Sequence, residues 1–134
     1  MQGMTGTPLR VLVVDDNADT AASLAFLLEA WGHEARVAHD GPSAILAARA
    51  FRPGAILLDV GLPHLDGFEV ARRLRSLPEF AQTPIIASSG YDGEEHRRRA
   101  SEVGITLYLV KPIDPWRLAD LLAPRRSPTE AVTA

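Results

Sequence analysis

The chain contains no cysteine, which excludes disulfides, thiolate zinc centres and thiol nucleophiles. No apolar stretch approaches the ~20 residues that cross a bilayer. The opening segment, Met1 to Pro8, lacks the basic-then-apolar order of a secretion leader. A cytoplasmic location is therefore the expectation. Positive charge is not in excess either. Fourteen Lys and Arg stand against seventeen Asp and Glu, a formal net charge of −3, so neither nucleic acid nor membrane is an expected partner. No Gly-x-Gly-x-x-Gly and no P-loop follows the first apolar run, which disfavours a nucleotide-binding fold.

What the 134 residues do contain, 46% of them hydrophobic, suffices for one domain with a real core. Apolar runs of four to six residues alternate with longer amphipathic stretches, the pattern of βα units around a parallel sheet. Strands are expected at 10–14, 34–38, 55–58, 84–87 and 106–110. The second is the most polar and is expected at an edge. The first helix carries Leu24, Leu27, Leu28 and Trp31 on one face and stops at Gly32. The second opens at Asp40-Gly41-Pro42, with a cap followed by a proline suited to the first turn. The third begins near Asp66 with Val70, Leu74 and Leu77 toward the sheet, and Pro78 ends it. The fourth starts at Asp92, with Glu94 and Glu95 in its first turn, and its apolar stripe is thin, Ala100 and Val103. The fifth opens at Asp114-Pro115 and buries Leu118, Leu121 and Leu122. The domain is expected over 9–123, between a flexible segment at 1–8 and a disordered tail or linker stub at 124–134.

The chemistry lies where the strands stop. Asp15 and Asp16 close Val11-Leu12-Val13-Val14, and Asp59 closes Ala55-Ile56-Leu57-Leu58. Ser88 and Ser89 close the fourth run, and Lys111 the fifth. Ligands of open α/β sheets bind at the carboxyl ends of the strands, so these groups face one crevice. Three carboxylates together cost free energy unless one is protonated or a cation neutralises them. Mg²⁺ suits the task, because it accepts one or two carboxylates, keeps several waters and takes a phosphate oxygen. Strand alternation sends Asp15 and Asp16 in different directions unless the chain has already left the strand. One of them then reaches the ion, and the other acts through water. Asp59, ending a central strand, is the best-placed nucleophile. Attack on phosphorus needs charge stabilisation more than proton transfer, which the Lys111 ammonium and the Ser89 hydroxyl supply.

Each element has an ordinary explanation: a helix cap for the acidic pair, a strand exit for Lys111-Pro112, a turn for Ser88-Ser89-Gly90. Their joint occurrence at four strand ends of one alternation favours the site. The four histidines, His33, His39, His64 and His96, lie on separate elements with no pair at metal-ligand spacing. All are expected at the surface, and none as a phosphodonor. Arg97-Arg98-Arg99 beside Glu94 and Glu95 is expected to be a solvated helix face. Trp31 is expected in the core, and Trp116 partly exposed.

At these residues the chain resembles the receiver domain of two-component response regulators. Val11-Leu12-Val13-Val14-Asp15-Asp16-Asn17 is similar to the family's first strand and acidic pair. Leu57-Leu58-Asp59-Val60-Gly61-Leu62-Pro63, with Asp66-Gly67, is similar to its phosphoacceptor loop. Ser89 and Lys111-Pro112 fall on its switch hydroxyl and its Lys-Pro, which the family often joins by a cis peptide. The resemblance implies an α/β fold: a single (βα)5 flavodoxin-like doubly wound domain with strand order 2-1-3-4-5 and helices on both faces. It implies that Asp59 accepts a phosphoryl group from a phosphohistidine of a sensor histidine kinase or histidine phosphotransfer protein. It further implies that Asp16, Asp59 and the Gly61 carbonyl bind Mg²⁺ directly and Asp15 through water, with Lys111 on the phosphate. Ser89 and Tyr108 would be the switch pair, altering the face made by helix 4, strand 5 and helix 5.

Some positions depart from the family's commoner residues. Gly61 stands where many receivers carry Asn or Met, and Ser89 where Thr is usual. Gly90 leaves an acyl phosphate little covered, and Tyr91 lies where family members tune attacking water. A stand-alone phosphoacceptor is expected, signalling through a protein partner and not a turnover enzyme. The alternatives are the same module within a hybrid sensor histidine kinase, which the 57–75 run and Ser89-Gly90-Tyr91 resemble, or a degenerate receiver serving as a binding platform. The platform predicts loss of an acid, the lysine or the hydroxyl, and all are present. An aspartate phosphohydrolase of the haloacid-dehalogenase type needs a second Asp two residues after the first, where this chain has Gly61.

Overall fold

The computed structural model describes residues 8–62 and 65–123. The expected flexible ends, apart from Pro8, lie outside the described residues, as do Pro63 and His64. The chain alternates β1 (Arg10–Val14), α1 (Ala18–Ala30), β2 (Glu34–Ala38), α2 (Gly41–Phe51), β3 (Ala55–Asp59), α3 (Gly67–Arg75), β4 (Ile85–Ser89), α4 (Glu94–Glu102), β5 (Leu107–Val110) and α5 (Pro115–Leu122), with one 3₁₀ turn at Pro78–Phe80. All five strands pair in parallel, in the order β2-β1-β3-β4-β5. The α/β architecture is the one the resemblance implied.

Strand alternation divides the core between the two faces. Leu12, Val14, Ile56 and Leu58 pack under α2, α3 and α4 with Phe51, Phe68 and Leu74. Val11, Val13, Leu57 and Ile86 pack under α1 and α5 with Leu28 and Leu118. Every residue of β3 and β4 is buried, as expected for central strands covered on both faces. In β2 only Ala38 is buried, which fits its edge position. Burial of each large aliphatic side chain contributes about 1.5–3 kcal/mol, so the central strands anchor the rim above them.

Short polar side chains start the helices. Asn17, Asp40, Asp66 and Asp114 accept from the backbone N–H of Thr20, Ser43, Glu69 and Trp116, each satisfying a donor that the first turn leaves unpaired. The first helix is thus capped by Asn17 and not by either acid before it. Gly32 follows that helix at a φ of 95°, the left-handed conformation that glycine adopts without Cβ strain.

Six expectations need correction. Helix α4 begins at Glu94 with Gly93 at its cap; Asp92 lies outside and pairs with Arg97 at 2.8 Å. The fourth strand runs on through Ser88 and Ser89, so both serines belong to it. The fifth begins at Leu107; just before it, Thr106 meets Ile85 twice, its N–H donating to the Ile85 carbonyl at 2.8 Å and its hydroxyl oxygen accepting from the Ile85 N–H at 3.0 Å. His33 is buried, 8% exposed: its Nδ1 accepts from the Leu9 N–H at 3.0 Å, a paired polar group that a covered position tolerates. Trp31 is half-buried against the α1–α5 side of the core. Trp116 is 84% exposed, further out than expected. The three arginines of α4 are solvated and paired, with Asp92, with Glu95 and Glu102, and with Asp66.

Candidate functional site at the carboxyl rim

The sheet order puts β1 and β3 side by side, with Val14 opposite Leu58, so the residues that follow each strand share one rim. Carboxylate oxygens of Asp15, Asp16 and Asp59 all lie within 4.8 Å of one another. Asp15 and Asp59 are buried, 3% and 7% exposed, whereas Asp16 is exposed. The adjacent acids therefore diverge in burial, as alternation predicted.

Neighbouring backbone and cation define how each acid is held. Asp59 Oδ1 accepts from the Gly61 N–H at 2.9 Å, and Lys111 Nζ lies 3.3 Å from Oδ2. Asp15 Oδ1 accepts from the Asn17 N–H at 2.9 Å. Burial raises the Asp15 pKa above the ordinary carboxylate range; the Asn17 N–H and Lys111 oppose this, while the charges of Asp59 and Asp16 reinforce it. One lysine against three acids leaves the cluster electron-rich. Three carboxylate groups whose oxygens gather within 4.8 Å supply the hard oxygen donors that a divalent cation such as Mg²⁺ prefers.

The hydroxyl and the lysine are set by the next two strands. Ser88 is the register partner of Asp59, and the Lys111 N–H donates to the Ser89 carbonyl at 2.7 Å. Ser89 is buried, and its Oγ accepts from the Tyr91 N–H at 3.0 Å, which leaves the hydroxyl proton free to point elsewhere. Tyr108 is buried, its hydroxyl donating to the Tyr91 carbonyl at 2.7 Å. The Lys111-Pro112 peptide is cis. Beside Asp15 and Lys111 a groove of about 610 Å³ opens against Thr20, Leu24 and Leu27 of α1.

The contacts of two neighbours of the site were not read from sequence. Gly67, the first residue of α3, lets that helix approach β3: a Cβ there would lie 2.4 Å from Val60 Cα and 2.7 Å from the Asp59 carbonyl oxygen. A glycine in the first turn of a well-capped helix, where it is otherwise disfavoured, was the available signal. His39 Nδ1 sits 3.0 Å from the Asp15 carbonyl oxygen and, since that oxygen only accepts, acts as the donor. No local pattern marks that contact.

Comparison with known proteins agrees with this geometry. The family model described as the response regulator receiver domain matches residues 11–123. A 14.6 kDa protein from the sodA1 3′ region of Leptolyngbya boryana is 39% identical over 112 residues, which cover 84% of this chain and 86% of that one. The response regulator PleD of Caulobacter vibrioides is 39% identical over 105 residues, 78% of this chain but only 23% of PleD. This chain thus spans less than a quarter of that larger relative. Chemotaxis protein CheY4 of Vibrio cholerae superposes with a TM-score of 0.82 at 31% identity, covering 87% of this chain and 97% of CheY4. A receiver domain of a histidine kinase from Syntrophus aciditrophicus gives a TM-score of 0.78 at 26% identity, covering 84% of this chain and 86% of that one. The fold, the acidic rim and the matched span lead to one conclusion: the chain belongs to the response regulator receiver domain family of two-component signalling.

Proposed function

We propose that Asp59 is the phosphoacceptor of this domain, receiving a phosphoryl group from a phosphohistidine of a sensor histidine kinase or histidine phosphotransfer protein in the cytoplasm. The observation that carries this reading is the buried Asp59 carboxylate, held by the Gly61 N–H and Lys111 Nζ within the Asp15–Asp16–Asp59 cluster. A carboxylate oxygen of Asp59 attacks phosphorus, and an acyl phosphate forms as the phosphorus–nitrogen bond breaks. The electron pair of that bond stays on the departing imidazole.

Asp16, Asp59 and the Gly61 carbonyl would hold Mg²⁺ directly, and Asp15 through water. Bound there, the ion supplies charge neutralisation for the transferring phosphoryl oxygens. Lys111 contributes a compact ammonium to the same oxygens, and Ser89 donates the hydroxyl proton that its bond from Tyr91 leaves available. The Ser89–Tyr91–Tyr108 connection supports a switch in which a change at the hydroxyl is felt at Tyr108, on the α4–β5–α5 face where a protein partner would respond. The domain acts as a relay and not as a turnover enzyme. Its partner specificity, and whether it serves alone or within a hybrid kinase, do not alter this chemistry.

Incubation with acetyl phosphate and Mg²⁺, read by intact mass, tests the assignment. The parent should gain one phosphoryl group and Asp59→Asn none, while Lys111→Ala should stay folded and respond poorly. Labelling that persists in Asp59→Asn refutes the proposal.

A further inference from the structure

The loop between β4 and α4 carries Tyr91, whose backbone serves both proposed switch residues: its N–H donates to Ser89 Oγ and its carbonyl accepts from the Tyr108 hydroxyl. The loop is also tied to α4 through the Asp92–Arg97 ion pair at 2.8 Å. A Cβ at either flanking glycine, Gly90 or Gly93, would meet nothing within 4 Å, Gly93 caps α4 with no side-chain hydrogen bond, and Tyr91 is 69% exposed. The Tyr91 ring is nonetheless engaged. It stacks on His96 of α4, with centroids 5.3 Å apart and planes 18° apart. The same imidazole meets Phe68 of α3 at 5.9 Å, and Phe68 is buried in the core.

Phe68 follows Gly67, which touches the Asp59 peptide. Arg99 lies over the Phe68 ring at 4.3 Å and within 3.7 Å of the Asp66 carboxylate, so α4 is tied to the start of α3 at a second point. His96 therefore links the loop that aims Ser89 to a helix start fixed against Asp59.

We propose that His96 is a positioning residue: by stacking on Tyr91 it holds the β4–α4 loop, so that the Tyr91 amide keeps the Ser89 hydroxyl oriented toward the phosphoryl group. This rests on the phosphoacceptor reading above. The imidazole contributes a flat ring and touches no reacting atom. Offset aromatic pairs favour the stacked arrangement by a factor of about two to ten, and the loop conformation should depend on His96 to that extent.

The test uses the full chain in three forms: parent, His96→Ala and His96→Phe. Amide NMR with Mg²⁺ and no phosphodonor reads the Ser89 and Tyr91 resonances, and acetyl phosphate uptake is followed by intact mass. In His96→Ala both amides should move and uptake should slow about two- to tenfold, the range set by the lost pair. His96→Phe, which keeps a ring, should restore both. Urea unfolding of all three confirms that the comparison is made on folded protein. Unmoved Tyr91 and Ser89 amides in His96→Ala, a loss of uptake without an amide change, or failure of the Phe variant to restore either readout overturns the proposal. A parent that takes up no phosphoryl group refutes the phosphoacceptor reading instead, while the amide shifts still decide whether the stack holds the loop.

Discussion

Replacing Gly67 by alanine asks one methyl group to enter space that backbone already fills. Its Cβ would stand 2.4 Å from Val60 Cα and 2.7 Å from the Asp59 carbonyl oxygen. Neither is the end of a side chain that could rotate away. Ordinary carbon contacts begin near 3.5 Å, so α3 and the end of β3 would have to separate by about 1 Å. The Gly67 N–H donates to the Val60 carbonyl at 3.1 Å, and that displacement carries the bond beyond useful length. An inserted methyl group in tight packing costs about 1–3 kcal/mol, and a lost hydrogen bond with a covered acceptor costs a further ~1–3 kcal/mol. Alanine recovers about 0.5–1 kcal/mol through its better helix propensity. The net expectation is a loss of about 2–4 kcal/mol. With a urea m-value of about 2 kcal/mol per molar, the middle of the usual range, the unfolding midpoint should fall by roughly 1–2 M at constant m. Gly90→Ala is the control, since nothing lies near its Cβ position, and it should stay within about 0.5 kcal/mol of the parent. A Gly67→Ala midpoint equal to that of Gly90→Ala would refute the close-approach argument.

Further outcomes follow from the same geometry. Burial lowers the His33 pKa, so the unfolded chain protonates first. The stability that His33 contributes is complete above its ordinary value near 6.5 and is lost as pH falls below it. Thermal melts at pH 7.5 and 5.5 should show a larger drop in the parent than in His33→Gln, and equal drops would contradict it. Arg75 donates to the carbonyls of Gly104 and Phe80, at 2.9 and 2.6 Å, and to Thr106 Oγ1 at 3.2 Å. Arg75→Ala should cost about 2–4 kcal/mol in urea unfolding, and Arg75→Lys should recover less than half, because an ammonium cannot span the three acceptors of a planar fork. Mg²⁺ at ten times its Kd should stabilise the parent by about 1.4 kcal/mol. That raises Tm by roughly 4–7 °C for a domain of this size, most of it absent in Asp16→Asn; an equal rise in both would remove Asp16 from the ligand set.

What sequence alone determined is what depends on short-range pattern. Alternation of apolar runs with amphipathic stretches marked five strands and five helices, because burial follows the period of the local backbone. Asp40, Asp66 and Asp114 announced helix starts, since a cap acts on residues two or three positions away. Acids, serines and a lysine at the strand ends announced a rim, although the strand order that joins those ends rested on the family resemblance. Tertiary structure alone decided the rest, because it concerns contacts that no short-range repeat encodes. Parallel pairing brought Lys111 within 3.3 Å of Asp59, fifty-two positions earlier. Packing covered His33 against Leu9, and α4 starts past Asp92, which pairs with Arg97 instead of capping the helix. Packing also made Gly67 a backbone contact of Asp59 and laid His96 on Tyr91. The contacts of His33, Gly67 and His96 have no local period, since each depends on where a neighbouring element comes to rest once the two faces of the sheet are filled.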